Sequence, residues 1–147
     1  MSCREWIQRF PLDECLPFKA VALENEGIAL SLLKGVRGPC QSEIISTMAS
    51  LMAFQIIDLK WPFPDIIIPA PKDLVNVLLA KELSHFFQVP MKKLLKEENT
   101  WRKKRLYSDK TILVVDLVLF FNRSWGVLEE AAPKQVYEIG FCRQDSF

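Results

Sequence analysis

Thr111-Ile112-Leu113-Val114-Val115-Asp116-Leu117-Val118-Leu119-Phe120-Phe121-Asn122-Arg123-Ser124 is the stretch on which the fold of this chain turns. Ile112 to Val115 is an apolar, largely β-branched run that ends at an acidic residue, Asp116. Unbroken apolar character of this kind belongs to a strand covered on both faces, as in a parallel sheet flanked by helices. A short loop follows, and Ser124 stands where a helix starts. Strand, loop and helix N-terminus is the usual place for an α/β protein to hold a phosphate, because free helix N–H groups and the macrodipole favour anions there. The layout suits a phosphate. The side chains mostly do not.

Outward from this stretch the same alternation continues. Asp65–Ile68 is a second continuous apolar strand, entered through the stiff connector Trp61-Pro62-Phe63-Pro64. Asp73 is placed to cap a helix through Phe87, with Leu74, Val77, Leu78, Leu83 and Phe86 turned inward. Upstream, Ser42 is expected to cap a helix that has Glu43 in its first turn and Ile44, Ile45, Met48, Leu51, Met52 and Ile56 on its apolar face. Phe18–Leu23 reads as a short strand and Ile28–Leu33 as a short helix stopped by Gly35 and Gly38-Pro39. Val89-Pro90 fits a short edge strand and Val136–Cys142 a third central one. Strands alternating with helices imply an α/β fold with an open, mainly parallel sheet, right-handed crossovers and helices on both faces. Residues 1–17 form a lead-in with Trp6, Ile7 and Phe10, and residues 18–147 a single domain.

The composition narrows the function classes. Half of the 147 residues are hydrophobic and a quarter charged, with net charge +1, so no global field steers the chain toward nucleic acid or membrane. No apolar run reaches the roughly 18 residues that a membrane span needs. The four cysteines, Cys3, Cys15, Cys40 and Cys142, include no Cys-x-x-Cys pair, and the one histidine, His85, is at no ligand spacing to them, which argues against a zinc site. Arg4, Glu5, Arg9, Asp13 and Glu14 do not suit a signal sequence, so reduced thiols in a cytoplasm are the expectation.

The Thr111–Ser124 stretch is similar to the phosphoribosyl pyrophosphate (PRPP) motif of the type I phosphoribosyltransferases. In that family a strand ends in two acidic residues that hold the ribose hydroxyls, and a Thr-Thr-Gly-Ala-Thr loop wraps the 5′-phosphate. Asp116 matches the first acid, Leu117 replaces the second, Val118 fits, and Ser124 stands in for the last threonine. Pro64-Asp65-Ile66-Ile67-Ile68-Pro69-Ala70-Pro71 is similar to the family's first core strand and Pro-x-Pro loop, Leu79–Leu83 to the helix after it, and Gln135–Arg143 to the strand after the PRPP helix. With Leu32–Gly35 and the helix from Ser42, these motifs most resemble the competence-associated ComF-type proteins, from about Val21 to Arg143.

Departures from that pattern are as informative. Pro71 and Lys72 run straight into a helix at Asp73 where ComF-type proteins have a long loop, and the segment thought to close over substrate shrinks to Glu97–Lys110. The helix after Ser124 meets Pro133 early, and the family's frequent N-terminal zinc module is missing. Phe120 and Phe121 replace small and hydroxyl residues, so the loop loses both the room and the donors that a phosphate requires.

The resemblance makes Asp116, Asn122, Arg123, Ser124 and Lys72 the vestigial candidates for ribose and phosphate binding. No catalytic residue and no metal ligand are assigned. Trp101, Arg102, Lys103, Lys104 and Arg105, within a basic segment that begins at Lys92, are candidates for single-stranded DNA, since cations interleaved with aromatics contact phosphates and stack on bases. A solvated loop is the plainer account of that run, as a packing or surface role is for His85. Three functional readings follow. The first is a non-catalytic phosphoribosyltransferase-fold protein acting through protein or nucleic-acid contacts, without a cofactor, with competence and DNA uptake implied by the resemblance. The second is an active transferase using PRPP and magnesium. The third is a self-associating scaffold.

Overall fold

A computed structural model describes residues 18–23, 27–71, 73–93, 106–119 and 133–143. In chain order the elements are strand β1 (Phe18–Val21), helix α1 (Ile28–Gly35), helix α2 (Gln41–Asp58), strand β2 (Ile66–Pro69), helix α3 (Leu74–Phe87), strand β3 (Thr111–Leu119) and strand β4 (Gln135–Arg143). The four strands form one sheet in the order β1-β4-β3-β2, and every pairing is parallel. The α/β fold with an open parallel sheet expected from the sequence is the fold observed, but its central strands are β3 and β4. Strand β2, expected at the centre, ends the four-strand order, and among the described residues it has only the isolated bridge Ile67–Met91 on its other side.

The register sorts the side chains onto two faces. Leu113, Val115 and Leu117 of β3 join Ile139 and Phe141 of β4, Ile67 of β2 and Ala20 of β1 in a core with the three helices. Ile112 and Val114, with Ile66, Ile68 and Val136, enter a second cluster that includes Tyr107. Both faces of β3 are therefore buried, which is why its sequence does not alternate. The three described helices all pack on the first face; the helix expected after Ser124 falls outside the described residues.

Two helix details differ from the sequence expectation. In α2 the cap position is Cys40 and makes no side-chain hydrogen bond, so Ser42 lies inside the first turn. In α3 the buried residues are Val75, Asn76, Leu79, Ala80, Leu83 and Phe87, while Leu74 and Phe86 face solvent. That helix is apolar on more than one side, so its period does not select the inward face. Asp73 does cap it as expected, accepting the Val75 N–H at 3.0 Å.

Strand order creates a crevice. After β2 the chain returns on its outer side, where Ile67 bridges Met91 and donates to the Pro90 carbonyl at 3.0 Å. After β3 it returns on the opposite side as β4. Connections that diverge in this way leave a gap at the carboxyl ends of β2 and β3, where open α/β sheets hold ligands.

Candidate functional site: the crevice between strands β2 and β3

The crevice is bounded by Pro69 and Ala70 at the end of β2 and by Asp116 and Leu117 on β3. Pro69 is level with Val115, and the Ala70 N–H reaches the Val115 carbonyl at 2.8 Å. A phosphate held here would draw on the N–H groups that follow the apolar run. Two of those are already bound. Leu117 N–H donates to Asn76 Oδ1 at 2.8 Å, and Val118 N–H donates to Asp116 Oδ1 at 3.3 Å.

Asn76 is the residue that sequence reading missed. It sits in the first turns of α3, buried, and its amide also donates to the Ala70 carbonyl at 3.1 Å. One side chain thus spans the crevice, joining the end of β2 to the end of β3. A polar residue on the inward side of an otherwise apolar helix was the available signal.

Asp116 and Leu117, the positions that answer to the ribose-binding pair by resemblance, are each 6% exposed. They point to opposite sides of the sheet. Leu117 packs in the helix-side core with Ile139 and Phe141, so an acid there would put a carboxylate among apolar side chains. Asp116 shares the other face with a second unanticipated feature. Lys19 of β1 and Glu138 of β4, register partners, form an ion pair of 3.3 Å with both side chains buried.

Gly140, opposite Asp116, marks a close approach of the chain. A Cβ there would fall 2.6 Å from the Leu119 Cβ and 3.0 Å from the Leu119 nitrogen, so any larger residue would displace the end of β3. An isolated glycine within a strand pattern is the usual sign of such an approach.

At the mouth of the crevice, Arg37 grips Asp73 with both arms of its guanidinium, at 3.2 and 2.8 Å. The hydrogen bond from Arg37 holds the Asp73 carboxyl below its ordinary value, against the opposing effect of partial burial. The fork of Arg37 is thereby committed to a carboxylate rather than offered to an anion.

Of the candidates for ribose and phosphate or single-stranded DNA binding, only Asp116 lies among the described residues. Lys72, Asn122, Arg123 and Ser124 lie outside them, as do Phe120, Phe121 and the Trp101–Arg105 segment. His85 is exposed on α3, consistent with a surface role. Among the described residues no cluster of His, Cys, Asp and Glu is arranged to hold a metal ion, and no helix is long and apolar enough to cross a membrane. Cys40 is exposed, and Cys142 is buried with its thiol donating to the Leu117 carbonyl at 3.7 Å. No protein-family model matches the chain, and no curated protein matches it either.

Proposed function

We propose that this chain is a ComF-type protein of the phosphoribosyltransferase fold whose PRPP loop has lost its ligand, and that it acts in the cytoplasm through contacts with a protein or with nucleic acid, in the setting of DNA uptake that the resemblance implies. The observation that carries the loss of the ligand is the internal use of the Leu117 and Val118 N–H groups by Asn76 and Asp116. A ligand seated at the expected ribose site, with its 5′-phosphate toward residues 120–124, would have to displace the buried Asn76 amide from Leu117 and the Asp116 carboxylate from Val118. Each exchange costs free energy, because buried polar groups left without partners are penalised by about 1–3 kcal/mol each. The inward packing of Leu117 adds to this, since the second ribose-binding acid cannot be supplied from that position without disrupting the core.

Calorimetric titration with magnesium and PRPP tests the reading. No binding is expected, with the parent and Asp116→Asn giving the same flat isotherm. Micromolar binding by the parent that Asp116→Asn abolishes would establish the active transferase instead.

A further inference from the structure

We draw no further inference here: the strongest candidate, the aromatic surface patch at the amino ends of the strands where the exposed rings of Phe63 and Phe86 lie against Phe87, carries nothing, because nothing in the structure shows what covers it.

Discussion

Asn76 decides the character of the crevice more than any residue with a charge. Its amide closes two hydrogen bonds between elements that meet only at the switch point, to the Ala70 carbonyl and from the Leu117 N–H. Removing it leaves a buried donor and a buried acceptor at once. Asn76→Ala is therefore expected to lose about 2–5 kcal/mol, each orphaned group costing roughly 1–3. Urea denaturation should show the lower midpoint with an unchanged slope. Asn76→Asp should be worse than its near-isosteric size suggests, because a carboxylate cannot donate to Ala70.

At the scale of the element, α3 is set by its first residue. Asp73 caps it through the Val75 N–H and is gripped by Arg37. The Arg37 side chain is largely exposed, so the ion pair contributes little beside the cap. Asp73→Ala should cost about 0.5–2 kcal/mol, the usual range for a lost cap. Its pH dependence follows from the direction of the shift. The folded carboxyl titrates below its ordinary value of 3.8, so its contribution is complete above that value and is lost as pH falls through the lowered folded one. The parent and Asp73→Ala should thus differ in thermal midpoint at pH 7 and converge in strong acid. A difference that does not shrink as the pH is taken ever further below 3.8 would show that the carboxylate charge is irrelevant to the cap.

The molecule as a whole is closed by an edge strand from the beginning of the fold lying against a strand from its end. Four residues of β1 pair with Tyr137–Gly140 of β4, and within that short contact Lys19 and Glu138 form the buried ion pair. Taking two charges out of water is costly, but leaving one of them alone is costlier. Lys19→Met should destabilise by about 3–5 kcal/mol, whereas Lys19→Met combined with Glu138→Met should recover most of that loss. Equilibrium unfolding of the two variants checks the prediction; a double variant as weak as the single one would mean that the pair is not the unit that holds β1.

The sequence by itself determined the class of fold, because its signals are local. Unbroken apolar runs at Asp65–Ile68 and Thr111–Val115 require a sheet covered on both sides, and a carboxylate at Asp73 before an apolar helical stretch starts α3 where the chain shows it. The likeness of residues 111–124 to a phosphate motif is equally local, and of its candidates only Asp116 is described, buried within β3, which runs on to Leu119 where the sequence reading has the strand give way to a loop. What the tertiary structure alone decided depends on which strands become neighbours and in what register. α3 carries apolar residues around most of its circumference, so only docking on β2 and β3 selects Val75, Asn76, Leu79 and Phe87 as its inner face and leaves Leu74 and Phe86 outside. Lys19 and Glu138 are far apart in the chain and polar in composition, and nothing short of the β1–β4 register brings them together. The N–H group of Leu117 looks available in the sequence, and it is taken only because the helix after β2 returns an amide across the switch point. Hydrogen-bond partners of this kind are set by geometry between distant segments, which a local pattern does not encode.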